Sequence, residues 1–222
     1  MLDEQPLNPD LHDRAGFSCG VSELDDYLHR FAVQHRRKGV STVYVLVDTG
    51  EPSLILGYYT LSAAQVDIAE LSDAVRRKLP RYPIPCFRMG RLACRMDHRG
   101  EGLGKLLIGC AVERCLQARK QVAAFALIVD AKSPEAKAFY EHYGFRPCVD
   151  ALMTLYRASL SDRRTHLALK VDEHFNQLRG QFKNAASCKA ASCLALRVLV
   201  FDFVRLNGIR ASVTLRSKKC SA

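Results

Sequence analysis

Three glycines spaced two apart, Gly100, Gly102 and Gly104, stand between Arg99 and Lys105. Glycine lets a backbone take positive φ and approach a ligand closely. An apolar-periodic run from about Leu103 to Arg119 follows, with Leu106, Leu107, Cys110, Ala111 and Arg114 on repeating turns, and it predicts a helix. The start of a helix offers unpaired N–H groups and the positive end of the dipole. The segment Arg99, Gly100, Glu101, Gly102, Leu103, Gly104 and Lys105 therefore has the makings of a pyrophosphate cradle, with Arg99 and Lys105 as neutralising cations. A tight turn that holds no ligand is the plain alternative. The loop lacks the GxxxxGK(S/T) spacing of a Walker loop and the GxGxxG spacing of a dinucleotide fold.

Phe139-Tyr140 lies further on, within Ala138–Phe145, on an apolar helical turn. An aromatic there can pack a core, and a tyrosine hydroxyl can also move a proton. Tyr143 is the lesser choice, as a neighbour for Phe145. Cys94 has no adjacent His or Asp in a triad-like context, so a thiol nucleophile is not favoured. Two basic trios, Arg36-Arg37-Lys38 and Arg76-Arg77-Lys78, each close a predicted helix, and Arg81 follows the second. Cations suit helix C-termini, but the two trios can also build one phosphate-binding face.

The elements that must hold these residues alternate between helix and strand. Residues 1–20 read as irregular. Residues 23–37 read as an amphipathic helix, with Ser22 and Asp25 as a weak capping box and Gly39 as its stop. Thr42–Val47 and Leu54–Ala63 read as a hairpin around Asp48–Pro52. Leu71–Leu79 reads as a short helix, and Arg81–Pro85 as an extended connector. Phe87–Arg95 and Phe125–Val129 read as strands, the second apolar throughout as in the middle of a sheet. Ser133 and Pro134 open a helix that Gly144 ends, and Phe145–Pro147 and Leu152–Ala158 close the pattern. The fold class is α/β, a mixed and mostly antiparallel sheet flanked by helices.

Composition bounds the rest. The chain has 222 residues and a net charge of +10. Residues 1–160 carry only +2 of that charge and residues 161–222 carry +8, so overall basicity says little about the first part. Nine scattered cysteines without a CxxC pair read as reduced thiols rather than disulfides or a metal cluster. No apolar run reaches the length of a membrane span, and the acidic start predicts no secretory leader. The expected organisation is a domain over 1–160 and a basic extension over 161–222, in which His166–Phe182 reads as an amphipathic helix and Cys193–Leu206 as apolar but charged.

Arg99-x-x-Gly102-x-Gly104 after a strand ending Arg91-Leu92-Ala93-Cys94, with Ala138–Phe145 downstream, resembles the GCN5-related N-acetyltransferases (GNAT). Gly57–Ala63, Leu79–Pro85, Phe139-Tyr140, Phe17–Gly20 and Leu24–Leu28 are similar, more narrowly, to the acetyltransferase toxins of type II toxin–antitoxin systems. The resemblance runs from roughly Leu7 to Ala158. It implies that acetyl-CoA places its pyrophosphate over Arg99–Lys105 and its pantetheine arm along Leu92, Ala93 and Cys94. It implies that the strand at Asp130 and Ala131 splays to open the thioester slot, with Phe139 beside it, and that Tyr140 protonates the departing thiolate. In that family the acceptor is the α-amine of an aminoacyl-tRNA, so the basic trios and Arg81 become tRNA-binding candidates. It also implies a homodimer and a ribbon-helix-helix antitoxin as partner; the reduced thiols point to a cytoplasmic location and the lack of a CxxC pair to no metal. An α-amine of pKa about 7.7–8.0 needs little help from a base, unlike a lysine amine near 10.4. The alternative is a GNAT enzyme that acetylates a protein or small-molecule amine, or a binding protein that uses the cradle without turnover.

Overall fold

Valines at alternate positions in Thr42–Asp48 and apolar residues throughout the middle of Glu51–Val66 make two strands that only a sheet with both faces covered can bury. The computed structural model describes residues 1–158 and places these strands, β2 and β3, as an antiparallel pair inside a seven-stranded sheet. The others are β1 (Leu2–Pro6), β4 (Ile84–Cys94), β5 (Leu127–Asp130), β6 (Arg146–Pro147) and β7 (Thr154–Arg157), in the order β1-β2-β3-β4-β5-β7-β6. Every pairing is antiparallel except β4 with β5. The helix between those two, α4 (Leu103–Ala118), is the crossover that a parallel pair requires.

Helices cover both faces. On one, α4 and α5 (Pro134–His142) bury Leu103, Leu106, Leu107, Ala111 and Tyr140 against Leu46, Tyr59, Met89, Leu127 and Val129. On the other, α1 (Ser22–Asp26), a π turn (Tyr27–Phe31) and α2 (Ala32–Arg37) pack Tyr27, Leu28 and Ala32 against Val43, Val45, Ile55 and Tyr58. Further along that second face, beside α3 (Asp73–Arg76), Val75 and Leu79 pack against Val66, Ile84 and Cys86.

Several sequence expectations are corrected. Residues 1–20 are not irregular throughout, because Leu2–Pro6 pairs with Tyr44–Asp48 and satisfies the free edge of β2. The helix expected over 23–37 is present as a continuous run from Ser22 to Arg37 that includes the π turn, but it has no side-chain cap: the Ser22 hydroxyl turns to Glu23. Asp25 accepts the Cys19 N–H at 2.8 Å and the Ser18 hydroxyl at 3.0 Å instead. The helix expected over 71–79 shrinks to Asp73–Arg76, since the chain turns at Leu79-Pro80 toward β4. The strand expected from Phe87 begins earlier, at Ile84, where it finds Val66 of β3. The expected helix at 166–182 and the apolar segment at 193–206 lie outside the described residues.

Candidate active site

The sheet opens at β4. Thr60 of β3 faces Arg91 while Leu61 faces Met89, so Gly90 is an extra residue that bulges β4. A bulge bends its strand and adds twist. Pairing of β4 with β5 stops at Met89 and Val129. Beyond that point β5 stays with β7: Asp130 faces Thr154, and the Ala131 N–H donates to the Met153 carbonyl at 2.8 Å. On its other side, β4 stays with β3, where the Arg95 N–H donates to the Leu56 carbonyl at 2.8 Å. Antiparallel alternation then commits the Ala93 backbone to Tyr58 and turns the N–H and C=O groups of Leu92 and Cys94 into the gap. The result is a slot with one polar backbone wall.

The glycine loop stands at the end of this wall. Gly100 and Gly102 have φ of 85° and 81°, which other residues adopt only under strain. The first bond of α4 runs from the Leu106 N–H to the Gly102 carbonyl, at 3.2 Å. Leu103, Gly104 and Lys105 therefore keep N–H groups without an intrahelical acceptor. An anionic group fits there, and the half-buried Lys105 has no carboxylate partner among the described residues. Arg99 is placed otherwise: its guanidinium donates to the Cys19 carbonyl and ties the loop to the segment before α1. Glu101 pairs with His98 at 3.0 Å.

Tyr140 reaches the same place from α5. Ser133 caps that helix by accepting the Ala136 N–H at 3.2 Å, and Arg157 donates to the Tyr143 carbonyl at its end at 2.7 Å. The Tyr140 ring sits edge-on to Phe139 and Phe145, at 5.4 and 5.6 Å between centroids. Phe139 leans on α4 so closely that a Cβ on Gly104 would lie 3.1 Å from its Cζ and 3.8 Å from Cys94 Sγ. Loop, strand end and tyrosine helix thus converge on Gly104. The Tyr140 hydroxyl makes no hydrogen bond among the described residues, and burial, then the nearby Asp130 carboxylate and Cys94 side chain, push its pKa up to about 12. It is a protonated donor at neutral pH. Burial likewise pushes the Cys94 thiol up to about 11, so it stays protonated. Asp130 is held by Arg88 and by the Thr154 hydroxyl at 3.0 Å and is not free to act as a base.

The basic trios lie on the face of the sheet away from α4 and α5. Arg36 is anchored on the Leu7 carbonyl, Arg76 pairs with Asp73 at 2.6 Å, and Arg37, Lys38, Arg77, Lys78 and Arg81 are exposed. Two residues have structural work at the site that their sequence context did not reveal. One is Gly90, whose bulge shows only in the register. The other is Gly57, where a Cβ would meet Leu107 Cδ1 at 2.8 Å and the Ala93 carbonyl at 3.0 Å. Glycine at 57 lets α4 lie close on β3 beside the slot.

Comparisons with known proteins give the family. The Acetyltransferase (GNAT) domain family profile matches residues 40–147. A tRNA-acetylating toxin of Mycobacterium tuberculosis (strain ATCC 25618 / H37Rv) is 36% identical over 136 residues, covering 61% of this chain and 80% of the toxin. The chain belongs to the GNAT acetyltransferases, within their toxin branch. The solved structure of AtaT complexed with acetyl-methionyl-tRNAfMet superposes with a TM-score of 0.67 at 28% identity, over 71% of this chain and 95% of that one. A tyrosine-to-phenylalanine variant of AtaT, bound to the C-terminus of the antitoxin AtaR and acetyl-CoA, superposes with a TM-score of 0.61 at 25% identity, over 78% of this chain and 98% of that one. This acetyltransferase takes its acetyl group from acetyl-CoA.

Proposed function

We propose that this acetyltransferase moves acetyl from acetyl-CoA to the α-amine of an amino acid esterified to tRNA, and so blocks translation as the toxin of a type II toxin–antitoxin system. The observation that carries the reading is the slot: β4 turns backbone groups of Leu92 and Cys94 into it, free N–H groups of Leu103–Lys105 stand at one end, and Tyr140 is its unpartnered proton donor. The similarity to a tRNA-acetylating toxin and to AtaT with acetyl-methionyl-tRNA supports the acceptor.

Acetyl-CoA supplies an activated acetyl thioester. The N–H groups of Leu103, Gly104 and Lys105 hold its pyrophosphate, with the Lys105 ammonium alongside. Backbone N–H groups of Leu92 and Cys94 hold the arm and polarise the thioester carbonyl. Tyr140 Oη donates a proton at the sulfur. A thiol of pKa near 8.5 leaves readily, so this donor contributes about 100-fold, the low end of general acid catalysis. Asp130 is spoken for, which suits an acceptor amine of pKa about 7.7–8.0 that is already partly neutral at pH 7.

The exposed Arg37, Lys38, Arg77, Lys78 and Arg81, with Arg36 and Arg76, are proposed to take tRNA phosphates on the face away from α4 and α5. The partners proposed are a ribbon-helix-helix antitoxin and a second copy of the chain, and the location is cytoplasmic. Among the described residues no helix is long and apolar enough to cross a membrane. Residues 1–160 are proposed as the catalytic domain and 161–222 as a basic extension. Induced expression tests the toxin role. Wild type arrests growth and Tyr140→Phe does not; arrest by both, or by neither, contradicts it.

A further inference from the structure

Three arginines of the sheet are at least partly withdrawn from water: Arg88, Arg91 and Arg157. Arg88 is paired with Asp130, and Arg157 donates to the Tyr143 carbonyl. Arg91 has neither kind of partner among the described residues. Its guanidinium carbon Cζ lies over the Tyr27 ring instead, 3.7 Å from the centroid. Tyr27 is a firm platform: it is buried, its hydroxyl is 2.9 Å from Ser41 Oγ, and its ring is nearly parallel to that of Tyr58 at 6.4 Å. It also begins the π turn, a distortion that often marks a functional position. A guanidinium stacked on an aromatic keeps its in-plane N–H fork turned outward. A cation half-withdrawn from water without a counter-charge is a receptor for an anion that arrives from outside.

Its position says which anion. Arg91 stands one residue past the Gly90 bulge and two past the last β4–β5 pair, at the mouth of the slot. Strand alternation puts it on the Tyr58 face, away from α4, α5 and the glycine loop. An acceptor approaching from that face meets Arg91. A free amino acid would offer a carboxylate. An amino acid esterified to tRNA has none, and the anion next to its ester is a backbone phosphodiester.

We propose that Arg91, held on Tyr27, binds a phosphodiester of the acceptor's 3′ end and so positions the aminoacyl ester at the slot. This rests on the charged-tRNA reading and names a positioning and specificity-determining residue for it. The full chain and its Arg91→Gln and Arg91→Lys variants are titrated with uncharged tRNA between about 50 and 200 mM salt, and kcat and KM are measured on charged tRNA. Arg91→Gln should bind tRNA about tenfold more weakly, with a salt slope smaller by about 0.7–0.9, one phosphate contact, and a KM for charged tRNA raised about tenfold. Arg91→Lys keeps most of the slope but loses the fork, so its affinity falls by less than that of Arg91→Gln. A Gln variant with unchanged slope and KM overturns the proposal. A lowered melting temperature with an unchanged slope also overturns it and makes Arg91 a packing residue over Tyr27. Wild type that binds tRNA yet leaves charged tRNA unlabelled overturns the substrate reading itself, a result seen before any variant is compared.

Discussion

Replacing Gly57 by Ala tests how the fold holds the site. A methyl group there would lie 2.8 Å from Leu107 Cδ1 and 3.0 Å from the Ala93 carbonyl oxygen. Leu107 is fully buried and packed within α4, and the Ala93 carbonyl is fixed in the ladder opposite Tyr58. Neither neighbour can move aside cheaply. Overpacking of this kind costs about 1–3 kcal/mol. Alanine restricts the unfolded chain more than glycine and returns about 0.4–1 kcal/mol. The net expectation is a loss of about 1–2 kcal/mol in urea unfolding. Because α4 carries Leu103–Lys105, its displacement also weakens acetyl-CoA binding by calorimetry. A second change, Leu107→Ala, relieves one clash but leaves the carbonyl. The two changes should therefore couple by about 1 kcal/mol in a double-mutant cycle. A Gly57→Ala protein within about 0.5 kcal/mol of wild type, the range of a neutral surface change, would refute the close approach of α4 to β3.

With its hydroxyl pushed up to about 12, Tyr140 adds no alkaline limb to the rate up to about pH 9.5, and the acid limb follows the acceptor amine near 7.7–8.0. Tyr140→Phe lowers kcat about 100-fold at every pH in that range and leaves the acid limb in place; an alkaline limb that disappears in the variant contradicts this. Glu4 accepts Arg114 Nε at 3.1 Å, a second bond from the same guanidinium, and the Tyr59 hydroxyl, and so pins β1 to α4. Glu4→Ala strands Arg114 and should cost about 2 kcal/mol in urea unfolding, below the fully buried case because Arg114 keeps some solvent contact. His12 is buried, its Nδ1 accepts the Asn8 N–H at 2.9 Å, and its Nε2 has no partner among the described residues. Burial holds its pKa below the usual 6.5. Above that value the ring is neutral folded and unfolded. As pH falls below it, the unfolded chain takes up the proton first and stability drops. The stability difference between wild type and His12→Gln should shrink below about pH 6.5, and a difference that is flat with pH contradicts the assignment.

Local chemistry made part of this site legible. Gly102 and the run after it mark the start of α4, and Ser133-Pro134 marks the start of α5, because caps and glycine turns act within a few residues. The β2–β3 hairpin follows from its β-branched and aromatic runs on either side of the Asp48–Pro52 turn. What stayed hidden depends on partners far along the chain. The strand Leu2–Pro6 exists because β2 has an edge to fill. Arg99 reads as a phosphate ligand until its contact with Cys19, 80 residues away, is known. The opening of the sheet comes from one extra residue, Gly90, that no periodicity reports. Arg91 shows its role only beside Tyr27, which the π turn carries.

The central claim is acetyl transfer to charged tRNA through this slot. Purified full chain is incubated with labelled acetyl-CoA and bulk charged tRNA, beside Tyr140→Phe. Wild type should place label on the amino acid of charged tRNA, and the variant almost none. Acetyl-CoA binding without label on any tRNA, or equal labelling by both proteins, would contradict it.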